Sequence, residues 1–137
     1  MNHVSSLPAG VYEYDPEDHK LYIVKQQRIG IELQKTYVQD NVNMLNISFC
    51  LFPVIHYPRI FKMYGNRGYR MVNMLAGHMA HRIDLAAAAL GYGIRCSDSI
   101  QEETANKILE INLPEQPIMH IIGFKQLSKV RFGNFVH

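Results

Sequence analysis

Cysteine is scarce in this chain: 137 residues carry two, Cys50 and Cys96. They form no CxxC pair and no framework, so nothing encodes a cysteine-based zinc cluster or a disulfide-stapled scaffold. Both lie in apolar surroundings, and buried free thiols in a reducing compartment are expected. Charge is thin as well. Charged residues make up 19% and the net charge is +2. There is no dense Lys/Arg stripe, which argues against a nucleic-acid partner. No apolar run approaches the ~20 residues that span a bilayer. The opening MNHVSSLPAG lacks a basic stretch followed by an apolar core, so no signal peptide and no membrane partner are expected. The expected location is cytoplasmic.

What the chain does contain is patterned for one globular domain, or one domain's share of a larger assembly, with 47% apolar residues. Two β-rich runs around an Asp-Pro cluster predict a hairpin, Val11–Tyr14 with Lys20–Lys25. Ile31, Leu33, Tyr37 and Val38 predict a short amphipathic helix from Ile31 to about Asn41. MLNISFCLFPV is apolar enough for a buried strand. HYPRIFKMYGNRG predicts a helix with proline in its first turn, closing on Gly65 and Gly68. Tyr69 to Leu90 holds no proline and, within it, only Gly77, which predicts a long helix ended at Gly91. Met71, Met74, Leu75, Met79, Ile83, Leu85 and Leu90 would form its broad apolar surface. IRCSDSI suits a strand. Ser99 to Glu102 spells a capping box that would start a helix running to about Glu110. PIMHIIGF suits a second buried strand. The order β-β-α-β-α-α-β-α-β is an α+β domain with the long helix at its centre.

That helix carries LAGHMAHRIDLAAAALGYG. His78, His81 and Asp84 fall near one helical stripe, but neither HExxH nor a nearby second His/Cys pair accompanies them. No metal is expected there. Gly77 and the run Ala86 to Ala89 leave a patch nearly free of side chains, which lets a sheet, a partner helix or a flat ligand approach closely.

At this point the chain resembles the nitroreductase superfamily, and within it the SagB-type branch, flavin-dependent dehydrogenases that oxidise azolines in modified peptides. LPAGVYEYDPEDHKL is similar to that branch's tyrosine-rich hairpin segment. Tyr64-Gly65-Asn66-Arg67-Gly68-Tyr69-Arg70 resembles its YGxRGYR segment, followed at matching spacing by Ala76-Gly77-His78 and by Leu85 to Gly93. Ile108 to Glu115 resembles the passage before the last core strand. The similarity covers about Leu7 to Phe124. It implies a nitroreductase-like fold with an antiparallel or mixed sheet flanked by helices, and a long central helix buried by dimerisation. It also implies FMN at the interface, with groups from both subunits. Residues 1–137 would then be a single partial domain, the C-terminal portion, without the N-terminal Arg-Ser-type motif that grips the FMN phosphate.

The resemblance assigns candidate roles. Tyr64 and Lys62 are the catalytic candidates; Arg67, Arg70, Ser97, Ser99, Lys129 and Arg131 are the cofactor-binding candidates. Lys129 and Arg131 resemble a basic pair that some nitroreductases place on the FMN phosphate. Arg67 and Arg70 suit either a phosphate or an acidic residue across an interface. Two departures stand beside these. In the branch a lysine directly precedes the tyrosine, and it is implicated in proton removal from the azoline. Here Met63 holds that place and Lys62 lies one residue earlier, a rotation of ~100° on a helix. The usual glycine pair after the next strand falls on Asp98 and Ser99, and an aspartate there repels a phosphate. The expected partners are a homo- or hetero-oligomer completing the flavin site and a peptide or small-molecule substrate. Two other outcomes are a degenerate, flavin-free structural or recognition subunit of a peptide-modifying complex, and a small-molecule binding module without redox chemistry.

Overall fold

Residues 4–36, 46–111 and 115–127 are described by the structure, a computed structural model. The elements follow the expected order. Strands β1 (Val11–Asp15) and β2 (Lys20–Lys25) pair antiparallel, with Tyr14 opposite Leu21 and Tyr12 opposite Ile23. Asp15 makes their turn: its Oδ1 accepts from the backbone N–H of Glu17 at 2.8 Å and of Asp18 at 3.3 Å. Helix α1 (Gly30–Thr36) follows, and the rest of its expected span, from 37 on, lies outside the described residues.

The second sheet holds three antiparallel strands in the order β3-β5-β4. These are β3 (Phe49–Leu51), β4 (Tyr92–Ser97) and β5 (Ile121–Gln126). The central β5 reads as an unbroken apolar run because both its faces are covered. Ile121 packs with Leu33, Ala105 and Leu109 beneath α1 and α4 (Glu102–Leu109). Its neighbour Ile122 turns to the other face and packs with Ala87 and Phe124 beneath the long helix α3 (Arg67–Ala89). Phe124 stacks on Phe49 at 4.4 Å between centroids. β3 is shorter and less buried than MLNISFCLFPV suggests, since it is an edge strand with Leu51 exposed.

Helix α2 (Tyr57–Tyr64) precedes α3 and buries none of its side chains. His56 caps it, its Nδ1 accepting from the Arg59 N–H at 3.2 Å. Gly65, at φ 56°, closes α2. The two helices meet where Gly68 leaves no side chain: a Cβ there would stand 2.8 Å from Ile60 Cγ2. Gly91, at φ 75°, ends α3 as expected.

Three expectations need correction. Ser99 does not cap α4. Gln101 does, in extended conformation, because its N–H is tied at 2.8 Å to the Thr36 carbonyl at the end of α1. That tertiary bond overrides the local capping signal. Cys96 is exposed on the edge strand β4, whereas Cys50 is half-buried and burial pushes its thiol up to about 12. Finally, of its expected apolar surface α3 brings Ile83 to the sheet, beside Ala80 and Ala87, and not the leucines. Gly68, Val72, Ala76 and Ala87 are its buried positions, with Ala80 and Ile83 half-buried beside them. Met74, Leu75, Leu85 and Leu90 are 60–74% exposed.

Candidate functional site on helices α2 and α3

The residues singled out from the sequence gather on the open surface of α2 and the start of α3. Lys62 and Tyr64 share the last turn of α2, and both are exposed. The helix is regular through Tyr64, so a two-residue offset turns their side chains ~200° apart. They therefore leave the helix on opposite sides and do not form one catalytic pair. Arg67 and Arg70 stand exposed on the first turn of α3. Neither has a hydrogen-bond or ion-pair partner among the described residues, so both cations are available to an incoming anion or carboxylate. The first N–H groups of this helix also favour an anion.

Ser97 ends β4 and Ser99 lies in the turn that follows it. The Ser97 hydroxyl accepts from the Ser99 N–H at 3.3 Å, and the Asp98 carbonyl accepts from Ile100 N–H at 2.9 Å. This turn engages its own polar groups. The Asp98 carboxylate beside Cys96 adds to desolvation, the larger cause, in raising that thiol. Lys129 and Arg131 lie outside the described residues.

Sequence reasoning missed an aromatic stack across the two helices. The Tyr57 ring lies parallel to Phe61 at 5.3 Å and stacks on Tyr69 at 6.4 Å. Desolvation raises the Tyr57 phenol, with smaller contributions from Tyr69 and Glu102. The signal was available in YPRIF, where Tyr57 and Phe61 are one helical turn apart. Between α2, α3 and the segment before α2 runs an apolar groove of about 220 Å³, bounded by Val54, His56, Ile60, Leu75 and Met79. A smaller cavity of about 100 Å³ lies between the hairpin and β3, lined by Tyr12, Leu21, Ile29 and Phe49. Neither holds a cation, so neither suits a phosphate, and none of the sequence-derived site residues lines them.

The stripe His78, His81 and Asp84 is exposed on α3, and no group of three His, Cys, Asp or Glu side chains among the described residues could hold a metal ion. Chelator treatment is expected to leave the melting temperature unchanged. A drop of several degrees, with stoichiometric zinc in the untreated sample, would contradict this. No helix among the described residues is long and apolar enough to cross a membrane.

Known proteins share this arrangement. Three solved structures superpose well on it. A nitroreductase-named protein of Anabaena variabilis matches 93% of this chain and 26% of its own, at TM-score 0.83 and 23% identity. A chain of the Escherichia coli microcin synthetase McbBCD complex, solved with truncated pro-MccB17 bound, matches 90% of this chain and 47% of its own, at TM-score 0.79 and 21% identity. A nitroreductase-named protein of Ralstonia eutropha matches 89% of this chain and 55% of its own, at TM-score 0.70 and 19% identity. These likenesses establish the nitroreductase-like α+β fold. A curated protein of Methanocaldococcus jannaschii that carries the nitroreductase name is 29% identical over 116 residues, 85% of this chain. The chain spans 57% of that relative's length. The nitroreductase family pattern matches residues 4–124, and on that match the chain belongs to the nitroreductase family.

Proposed function

We propose that this chain is the C-terminal portion of a nitroreductase domain and serves an FMN-dependent oxidoreductase of the SagB type, working in the cytoplasm as part of an oligomer. Its substrate would be an azoline or related group in a peptide or small molecule. The observation that carries this reading is the exposure of Tyr64 and Arg67 on either side of the α2–α3 turn within a chain of the nitroreductase family. FMN needs cations for its phosphate and close access for a flat ring. Arg67 has no internal partner among the described residues, and a Cβ at Gly77 would meet nothing within 4 Å beyond the backbone of its own helix turns. These groups fit one half of an FMN site, and an oligomer would supply the other.

Bound FMN would supply hydride acceptance, which no side chain of this chain offers. The chain's own share is to bind and to orient. Arg67, Lys129 and Arg131 are proposed to hold the phosphate, with Arg70 as a further cation of that surface or as an interface residue. Tyr64 is proposed to orient substrate or pass a proton through its phenol. Lys62, on the other side of α2, would reach a different part of the substrate. Ser97 and Ser99 would offer hydroxyls at the end of β4. The microcin synthetase likeness favours a peptide substrate and a hetero-oligomer, since that structure holds a peptide within a multi-subunit complex.

The competing reading is a flavin-free structural or recognition subunit. Asp98 at the position of a family glycine, and the divergence of Lys62 from Tyr64, favour it. Absorbance separates the two. The purified chain, alone and mixed with the products of neighbouring genes, should show the flavin band near ~450 nm in the active assembly. A colourless assembly that gains no band after incubation with FMN would leave only the recognition role.

A further inference from the structure

Two sheets end against one cavity. The space of about 100 Å³ beside the hairpin is bordered by Phe49, Cys50 and Leu51 of β3 and by Val11, Tyr12 and Tyr14 of β1, whereas β2 contributes Leu21 alone. Cys50 packs with the cluster beneath α1 and α4, and its neighbour Phe49 with the cluster beneath α3. A space bordered by both faces of one strand lies at that strand's edge, in the plane of its sheet. β3 is the outermost strand of its sheet, and β1 pairs on one side with β2. Among the described residues, the other edges of β3 and β1 therefore carry no ladder. Ile29 and Leu33 close the space on the side of α1, and no charged side chain borders it. The Tyr12 hydroxyl donates to the Pro8 carbonyl at 2.7 Å, and the Tyr14 hydroxyl is hydrogen-bonded to His19 Nδ1 at 2.7 Å. Main-chain N–H and C=O groups of the two edges are then the polar groups left to meet an occupant. The hairpin also needs a neighbour. Leu21, Tyr22, Ile23 and Val24 are 40–55% exposed, and two strands alone are marginal in water.

We infer that a strand of the subunit that completes the flavin site enters between β1 and β3 and joins the two sheets into one, in the order β2-β1-strand-β3-β5-β4. This strand bonds through its main chain to both edges. It turns apolar residues at alternate positions toward Ile29, Leu33 and Cys50, and it holds no proline. A substrate peptide fits the slot less well, because an edge left open between turnovers is a template for aggregation. The Methanocaldococcus jannaschii relative carries further chain beyond the part matched here, so that protein has residues to supply such a strand. The inference rests on the oligomer of the proposed function and names its contact, but not its flavin.

A strand-shaped probe tests it, an acetylated and amidated peptide of alternating threonine and valine with a lysine at each end. The full chain alone should bind this peptide saturably. Hydrogen exchange should then slow in β1 and β3 together and stay unchanged at the outer edge of β4. N-methylation at alternate peptide residues removes main-chain donors and should weaken binding about tenfold or more. Leu51→Lys should do the same by setting a charge on the edge of β3. Leu51 is already 37% exposed, so the variant should keep its circular dichroism. Cys96→Lys, on the opposite edge of the sheet, should leave binding unchanged. The chain co-purified with the products of neighbouring genes should refuse the peptide, its slot being filled. Equal binding of the methylated peptide, or equal binding by Leu51→Lys, would overturn the inference. Refusal of the peptide by the isolated chain overturns it too, and sedimentation then tells a closed monomer from a slot filled by a second copy. An assembly that still takes the peptide would give the slot to a peptide substrate instead of a subunit. Flavin absorbance of the same assembly reports separately on the oxidoreductase reading, since a filled slot in a colourless assembly keeps the strand and loses the flavin.

Discussion

Truncating Ile122 to alanine is expected to lower the unfolding free energy by about 2–5 kcal/mol, and Ile121→Ala by a similar amount. Both side chains are 0% exposed, yet they lie in different clusters because neighbours on a strand point to opposite faces. Loss of Ile122 opens space beneath α3 beside Ala87, a residue too small to move in and refill it. Loss of Ile121 opens space between α1 and α4 around Ala105, where the same holds. Met74→Ala on the outer face of α3 gives the contrast. Met74 is 63% exposed, so its truncation should cost the protomer little. Urea titration at one fixed protein concentration measures all three, since association makes the midpoint depend on concentration. A loss below about 1 kcal/mol at either isoleucine, at unchanged slope, would mean that β5 is not covered on that face.

The central strand and the long helix were legible for opposite reasons. PIMHIIGF stood out by what it contains, because a strand covered on both faces carries no polar alternation. Tyr69 to Leu90 stood out by what it lacks, proline and closely spaced glycine. Which side of α3 meets the sheet was not legible. Hydrophobic periodicity points to methionine and leucine, but Ala80, Ile83 and Ala87 make the contact with the sheet, and Gly68 packs on Ile60 of α2. The larger side chains Met74, Leu75, Leu85 and Leu90 stay exposed. The start of α4 was hidden likewise, because a bond from Gln101 to the end of α1 decides it and no local spacing encodes that bond.

At the candidate site, residue types were readable and their geometry was not. The arginines of the YGNRGYR segment emerge exposed, as a phosphate or interface role requires. Lys62 and Tyr64, one residue from the family spacing, emerge on opposite sides of α2 because the helix stays regular. One residue on a helix is a third of a turn, so close sequence similarity still leaves a catalytic side chain facing elsewhere. The stack of Phe61, Tyr57 and Tyr69 joins two helices across Gly65, and that turn's φ of 56° decides whether the rings meet.

Removing both charges of the Lys129→Ala/Arg131→Ala variant should weaken FMN affinity of the assembled oxidoreductase at least tenfold. A phosphate held by a cation through a charge-assisted hydrogen bond is worth roughly 1.5–3 kcal/mol per contact. Solvent and salt screen part of this at an open surface, so the smaller end of that range applies. One retained contact of ~1.5 kcal/mol already amounts to a decade in affinity. Arg67→Ala should add to the loss, because Arg67 has no internal carboxylate among the described residues to explain its presence on the first turn of α3. Arg70→Ala should lower FMN affinity where Arg70 is a further cation of that surface, and self-association where it is an interface residue. FMN fluorescence titrations of wild type, the double variant and each arginine variant, all at a concentration where sedimentation shows the assembled state, separate these effects. Raising the salt should compress the difference between wild type and the double variant, as a phosphate contact demands. Equal FMN affinity in those two at low salt would remove Lys129 and Arg131 from the phosphate site and leave Arg67 and the start of α3 as its cationic side.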